Sequence, residues 1–303
     1  MNNLQFNNLK TVFLWGWFLF FLQITSAQQD NTKIENLDVA LIAQVNQGNS
    51  YITFPTDIGN IEPLIFEGNL IPNFILRENK QSRLVGVLTP QIIIRMYNEY
   101  SYPVKTPSYI PQLTTYYLIG NRKKSKLLTA FGRLAHHSNG QDDDLILPDG
   151  SVNYRSGDFA TNFMEGGAII TSFNRHTNAV RFFKLSYEYH PENSVHRLLK
   201  GRYSRHRLNF GFSAFRLPKN TELDKANFSL DVKMNLLLGD MGNIATFDAD
   251  RIQSSITFSY FPHVFEDFGL FVEFYHGKDY YNVYYDETRN LIRFGIMTNK
   301  LRF

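Results

Sequence analysis

Three features that are common in proteins of 303 residues are missing or scarce in this chain. It contains no cysteine, so no disulfide contributes to its fold. After the N-terminal segment, no apolar run approaches the roughly 20 residues that a membrane-spanning helix needs. The net charge is only +3 and the basic residues are scattered, without the basic stripe of a nucleic-acid-binding protein. These observations exclude the disulfide-stabilised, helical-membrane and nucleic-acid-binding classes.

The first 27 residues have the pattern of a secretory signal peptide. Lys10 gives a basic start, residues 12–24 form an apolar segment, and residues 25–27 form a small-residue cleavage site. The apolar segment is shorter than a spanning helix. We therefore predict that residues 1–27 are cleaved and that residues 28–48 form a periplasmic N-terminal arm.

The chain is rich in aromatic residues and in segments where apolar and polar residues alternate with a period of two. It contains 17 Tyr and 27 Phe, and its aromatic share is 15%. Apolar and polar residues alternate clearly over residues 227–238, and again over 183–189 and 256–260. Alternation of this kind is typical of strands with one apolar face. An exported, aromatic-rich, alternating chain is typical of an outer-membrane barrel, so we predict an all-β, antiparallel transmembrane β-barrel over residues 49–303.

Eleven candidate strands can be recognised from this alternation, and bacterial single-chain barrels have an even number of strands. The twelfth strand is expected within residues 49–66, where Tyr51 and Thr53 alternate with Ile52 and Phe54. We therefore predict a twelve-stranded barrel. The eleven candidates begin near residues 68, 83, 109, 125, 159, 178, 202, 227, 252, 267 and 290.

The connections and the last strand give two further expectations. Short turns are expected at the periplasmic end and longer loops outside, as the class requires. In the last strand, Ile292 and Phe294 have the opposite parity to Leu301 and Phe303. A β-bulge would explain this change of phase. The expected short turns lie near 79–82, 121–124, 174–177, 218–225 and 262–266, and the longer loops include 139–157, 239–251 and 277–289.

Three polar residues fall together on one face of a predicted β-hairpin. A strand's period of two places His136 and Ser138 on the same face, and a turn signal, Pro148-Asp149-Gly150, follows. The midpoint of positions 136 and 162 is 149, so Asn162 is expected opposite His136 if the loop closes symmetrically. A nucleophile, a base and an orienting group in one place suggest a hydrolytic enzyme.

The face that carries these residues is apolar further along both strands. In a water-soluble sandwich this face would be the core, whereas in a membrane barrel it faces lipid. A hydrolytic site on a lipid-facing surface would receive its substrate from the bilayer itself. The residues of matching parity are Leu128, Ala130, Gly132 and Leu134 on one arm and Ala160, Met164, Ala168 and Ile170 on the other.

Three segments resemble the outer-membrane phospholipase A family. His136 to Gly140 reads His-His-Ser-Asn-Gly and matches the family's His-x-Ser-Asn-Gly motif. The proline-led segment 103–112 and the closing segment 270–303 also resemble the family, and coverage runs from about residue 83 to the end. The departures are a longer 139–157 loop, and Val104, Lys105, Thr106 and Ser108 in place of the family's phenylalanine, arginine, glutamate and asparagine.

The resemblance implies a calcium-dependent phospholipase A that is active as a homodimer and cleaves outer-membrane phospholipids. Ser138 would be the nucleophile, His136 the base and Asn162 the orienting residue. The implied calcium ligands are the backbone carbonyl of Gln141, the carboxylate of Asp158 at the position of the family's serine, and the backbone carbonyl of Ser101 from a second copy. Ser156 replaces Asp158 if the loop has a different register.

Several alternatives compete with these assignments. Asn153 could orient His136 instead of Asn162, although its midpoint with His136 falls outside the turn signal. Residues 142–144, three consecutive aspartates, could bind calcium or could simply be solvated. His137 has the opposite parity to His136 and is expected to face the lumen or the rim.

A second function comes from a different class, a non-enzymatic barrel that is a narrow channel or a pseudoenzyme. The strand pattern turns several charged side chains inward, and pairs among them would cross the lumen and argue against a wide pore. Calcium-dependent ester hydrolysis separates the two functions. The inward charged residues are Arg133, Glu165, Lys184, Glu188, Asp231 and Lys233.

Overall fold

A computed structural model describes most of the chain. The predicted signal peptide, residues 28–36 of the predicted arm and the terminal Phe303 lie outside the described residues. Within the described part of the chain, no helix is long and apolar enough to cross a membrane. The described ranges are 37–53, 64–101, 103–121, 126–218, 226–242, 244–245 and 248–301.

The chain folds as an up-and-down series of antiparallel strands in one sheet, preceded by a short helix, α1 (Val39–Asn46). Short 3₁₀ turns cover Glu192–Ser194, Arg197–Leu199, Ala249–Arg251 and Asn282–Tyr284. The strands are β1 (Tyr51–Thr53), β2 (Leu64–Leu70), β3 (Phe74–Leu76), β4 (Leu84–Tyr97), β5 (Ser108–Ile119), β6 (Lys126–Ser138), β7 (Ala160–Asn174), β8 (Ala179–Tyr189), β9 (His206–Arg216), β10 (Phe228–Leu238), β11 (Ile252–Tyr260), β12 (Phe268–Lys278) and β13 (Thr288–Thr298).

The thirteen segments occupy twelve positions around a closed barrel. β2 and β3 pair with successive parts of β4, so they are two halves of one strand interrupted at residues 71–73. β1 pairs with both β2 and β13, which closes the sheet on itself. The predicted twelve-stranded antiparallel barrel is confirmed. The predicted strand starts agree closely, with the largest differences at 68 against Leu64 and at 202 against His206.

The outer face is apolar and the lumen is polar, as in outer-membrane barrels. Leu134 and Tyr117 are exposed on the outside of β6 and β5. Inside, Arg95 and Arg293 both bind the buried carboxylate of Glu67, with N–O distances of 2.7 and 2.8 Å. Such pairs satisfy charges that would be costly to bury alone.

Four of the six charged residues predicted to face inward form ion pairs on the lumen side, between neighbouring strands. Glu165 binds Arg133 at 2.9 Å and Lys184 at 2.7 Å. Glu188 binds Arg207 at 3.1 Å. A cavity of about 220 Å³ remains between these groups. Ion-paired side chains therefore line this cavity in the described lumen.

Helix α1 lies at the short-turn end of the lumen. Asp38 caps it, because the carboxylate accepts from the backbone N–H of Leu41 at 2.7 Å. The apolar side chains of α1 are buried in one cluster with lumen-facing residues such as Val85, Tyr116 and Phe182. Residues 37–48 belong to the predicted N-terminal arm, whose periplasmic location stays a prediction.

The change of phase in the last strand has a simpler explanation than a bulge. β13 pairs with β12 in unbroken register from Thr288 to Thr298, so the predicted bulge is wrong. Ile292 and Phe294 are exposed on the outer face. The strand ends at Thr298, and Leu301 beyond it is buried in the apolar cluster around α1.

Candidate active site

The β6–β7 hairpin brings the predicted triad residues to one end of the barrel. His136 lies directly opposite Asn162, and Ser138 lies opposite Ala160, as the symmetric closure of the loop predicts. Nδ1 of His136 is 2.8 Å from Oδ1 of Asn162. In the neutral ring, Nδ1–H donates to the amide oxygen, which leaves Nε2 free to act as a base.

An apolar groove lies beside this pair on the outer face. It has a volume of about 430 Å³. His136 and Asn162 are among its polar lining residues, and most of its other walls are aliphatic or aromatic. A groove of this character can hold an acyl chain next to the imidazole. The other lining residues are Leu88, Pro111, Gln112, Leu113, Leu134, Ala135, Phe163, Met164, Pro191 and Ser194.

Asn139, directly after Ser138, holds the loop that joins β6 to β7. Its side chain is buried, with Nδ2 donating to the Gly157 carbonyl at 2.8 Å and Oδ1 accepting from the Phe159 N–H at 3.0 Å. Gly140 follows with a φ of +66°, a conformation that favours glycine. The asparagine and glycine of the motif therefore shape the loop, a role that sequence reasoning missed.

The loop between β8 and β9 borders the other side of the site. Beyond the end of β8 it continues the pairing with β7, since Val195 forms a bridge with Thr161. The N–H of His196 donates to the Ala160 carbonyl at 3.0 Å. Pro191 and Ser194 of this loop line the apolar groove. The strand pattern gave no sign of this contribution, because the loop has no periodicity of its own.

Behind the site, buried polar residues support β7 from the lumen side. His190 bonds Thr161 through Nδ1 and Glu188 through Nε2, each at 2.8 Å. Burial holds the pKa of His190 below its ordinary value. His137 is also buried and contacts the Phe159 ring edge-on at 4.9 Å between centroids. His137 thus faces the lumen cavity, as its parity predicts.

The predicted calcium ligands lie in loops around this end of the barrel. Asp158 is about a third exposed, and its Oδ2 is 3.6 Å from Nε2 of His196. The N–H of Gln141 donates to Oδ1 of Asn139 at 3.3 Å. Ser101 is exposed in the β4–β5 loop, with a φ of +68°. Among the described residues, no group of three histidine or acidic side chains is arranged to hold a metal. The available donors are oxygens, which suit calcium.

Asn153, the alternative orienting residue, forms its hydrogen bonds within the 139–157 loop. Asn153 donates to the Asp144 carbonyl at 3.1 Å and to Oγ of Ser156 at 3.3 Å. Its Oδ1 accepts from the backbone N–H of Ser156 at 3.2 Å. Asn153 therefore stabilises its own loop, while the amide that bonds His136 is that of Asn162.

Comparison with known proteins adds a structural likeness. No protein-family model and no curated protein matches the sequence. Outer membrane phospholipase A from Escherichia coli superposes with a TM-score of 0.58 at 15% identity, covering 88% of this chain and 99% of that one. The calcium-bound dimer of the Salmonella typhi outer membrane phospholipase gives a TM-score of 0.55 at 15% identity, covering 83% and 90%.

An active-site mutant of the Escherichia coli protein gives a TM-score of 0.56 at 14% identity, covering 84% of this chain and 90% of that one. The fold is that of outer membrane phospholipase A. At this identity the likeness shows the fold alone. A twelve-stranded barrel of this kind is a bacterial outer-membrane protein.

Proposed function

We propose that this barrel is a calcium-dependent phospholipase A that hydrolyses acyl esters of glycerophospholipids in the outer membrane. One observation carries the proposal, the 2.8 Å bond between His136 and Asn162 on the outer face of the hairpin that also bears Ser138. The adjoining apolar groove supports a substrate with acyl chains. The fold shared with outer membrane phospholipase A supports the same reaction class.

The proposed reaction follows the logic of other serine hydrolases. Oγ of Ser138 attacks the ester carbonyl while Nε2 of His136 takes its proton. Asn162 holds the ring in the required tautomer through Nδ1–H. The proton then passes to the leaving alcohol, and water, activated by the same nitrogen, releases the fatty acid. An amide stabilises the imidazolium less than a carboxylate does, so the developing oxyanion needs another positive charge.

Calcium would supply that charge as a Lewis acid. In the proposal, the Gln141 carbonyl and the Asp158 carboxylate hold it, and Ser101 of the partner subunit adds a carbonyl. Calcium takes six to eight oxygens, more than these groups offer, so water and a second copy complete the shell. The calcium-bound dimer of the Salmonella typhi protein supports this assembly by analogy.

The alternative function is a non-enzymatic barrel, either a narrow channel or a pseudoenzyme. The ion-paired side chains inside the lumen weigh against a wide channel. The pseudoenzyme stays the competing reading, because a His–Asn pair can exist without turnover.

The test is release of fatty acid from phospholipid in detergent micelles by the purified protein. We expect hydrolysis that rises with calcium and with the dimer fraction, and that stops when the metal is chelated. Full activity of a chelated monomer would contradict the metal and dimer assignments. A folded protein with no hydrolysis under any of these conditions would favour the non-enzymatic barrel.

A further inference from the structure

A second histidine–asparagine pair lies on the outer face of the barrel. Nδ1 of His276 on β12 is 2.7 Å from Oδ1 of Asn290 on β13, and the two residues are directly paired in the sheet. On the other side, His276 is directly paired with Ser254 of β11. A serine, a histidine and an asparagine therefore stand in one row across three adjacent strands. We call these three residues the second row.

The second row repeats the placement of the first pair. His136 and His276 are each third from the end of their strands, and Asn162 and Asn290 are each the third residue of theirs. The β6–β7 and β12–β13 hairpins are six positions apart in a ring of twelve. The two pairs thus lie at the same depth on opposite sides of the barrel.

The side chains around the second row are apolar and face outward. Phe274 precedes His276 by two residues on the same face and is 46% exposed, and Ile292 follows Asn290 in the same way. Polar groups on a lipid-facing surface are costly and mark candidate functional sites. The surface beside the row suits the acyl chains of a membrane lipid.

The orientation of the imidazole favours a proton relay toward Ser254. Because Nδ1 is bonded to Asn290 on the β13 side, the Nε2 edge of the ring is the one left for the β11 side. Directly opposed residues in a sheet have Cβ atoms about 5 Å apart, within reach of a serine–histidine contact. Among the described residues, neither Nε2 of His276 nor Oγ of Ser254 forms a side-chain hydrogen bond, so a serine–histidine contact would need no existing bond to break.

We propose that Ser254, His276 and Asn290 form a second serine-hydrolase centre, which acts on acyl esters of membrane lipids. The Ser254 O–H bond breaks as its oxygen bonds the acyl carbon, and Nε2 of His276 takes the proton. The carbon–oxygen bond to the alcohol then breaks, and the alcohol leaves with that proton. Water, deprotonated by the same nitrogen, cleaves the acyl–serine bond, which releases the fatty acid and restores the hydroxyl.

The test is covalent labelling of the folded full-length protein in detergent with a fluorophosphonate, followed by mass spectrometry of each serine-containing peptide. We expect adducts on both Ser138 and Ser254, and in Ser138→Ala the adduct on Ser254 persists. Labelling of Ser254 should slow about 100-fold or more in His276→Ala, which removes its base. The same loss is expected in His276→Gln, whose side chain is larger than alanine. Labelling of Ser138 should not change. Ser255→Ala, which alters the adjacent serine on the lumen side, is the matched control and should change neither rate.

The outcomes for the two centres are separate because each serine is mapped individually. An adduct on Ser138 but not on Ser254 overturns the second centre and leaves the proposed function standing. Equal labelling of Ser254 with and without His276 also overturns it. As a turnover readout, residual ester hydrolysis by Ser138→Ala should fall to background when Ser254→Ala is added. No fall would contradict the second centre.

Discussion

The two histidine–asparagine pairs have nearly the same internal geometry but different surroundings. The His136–Asn162 pair has its serine two residues along the same strand and an apolar groove beside it. The His276–Asn290 pair has its serine on the neighbouring strand. The comparison teaches that cross-strand pairing alone can orient an imidazole, whereas the surrounding loops decide how a substrate is held.

The largest expected effect is on phospholipid hydrolysis, where loss of His136 is compared with loss of an unrelated surface histidine. His136→Ala should lower phospholipid hydrolysis by about 1,000-fold or more, because the serine then lacks its base. His176 is an exposed histidine in the turn that joins β7 to β8, at the opposite end of the barrel, and His176→Ala should leave the rate unchanged. Rates in micelles and heat-modifiability on gels would be measured for both variants. Comparable losses in the two variants would show a general effect on the barrel.

The next effect tests the loop that joins the two strands of the first pair. Asn139→Ala leaves the Gly157 carbonyl and the Phe159 N–H without their buried partner. We expect a loss of about 1–3 kcal/mol in loop stability and a marked fall in hydrolysis. Proteolysis at residues 140–158 and turnover would be followed together. An intact loop with normal activity would show that Asn139 does not shape the site.

Asn162→Ala should cost less than the loss of His136. Water can partly replace the amide that bonds Nδ1, and partial triads retain part of their activity. We expect kcat of Asn162→Ala to fall about tenfold to 100-fold. Asn162→Gln should recover more than half of the lost turnover only if its longer amide still reaches the imidazole. A loss as large as that of His136→Ala would assign Asn162 more than an orienting role.

The smallest effect concerns the metal. Asp158→Ala should raise the calcium concentration needed for half-maximal activity about tenfold while changing the saturated rate little. Asp149→Ala, an exposed aspartate in the same loop, is the matched control. Calcium titrations of hydrolysis would distinguish them. An unchanged calcium requirement in Asp158→Ala would favour Ser156 as the side-chain ligand.

Much of the fold could be predicted from the sequence because alternation and turn chemistry are local. The placement of Asn162 opposite His136 followed from a turn signal midway between them, and β6 and β7 pair in that register. The division of one strand into β2 and β3 could not be predicted in this way. The burial of Leu301 near α1 could not either, because it depends on contacts between residues distant in the chain.

The site was predictable only in part, because sequence patterns show relations within a strand but not contacts between distant residues. His136 and Ser138 share a strand, so their relation can be read locally. Ser254 and Asn290 flank His276 only through the register of three strands. The contribution of the β8–β9 loop depends on where β8 ends, which alternation does not define.

The most direct test of the central claim is the rate of phospholipid hydrolysis by Ser138→Ala beside Ser172→Ala, with calcium present. Ser172 lies on β7, the strand paired with that of Ser138, with the outward parity and at the opposite end of the hairpin. The account predicts a loss of about 1,000-fold or more for Ser138→Ala and none for Ser172→Ala, with both barrels folded. Retention of most of the activity by Ser138→Ala would contradict the assignment of Ser138 as the main nucleophile.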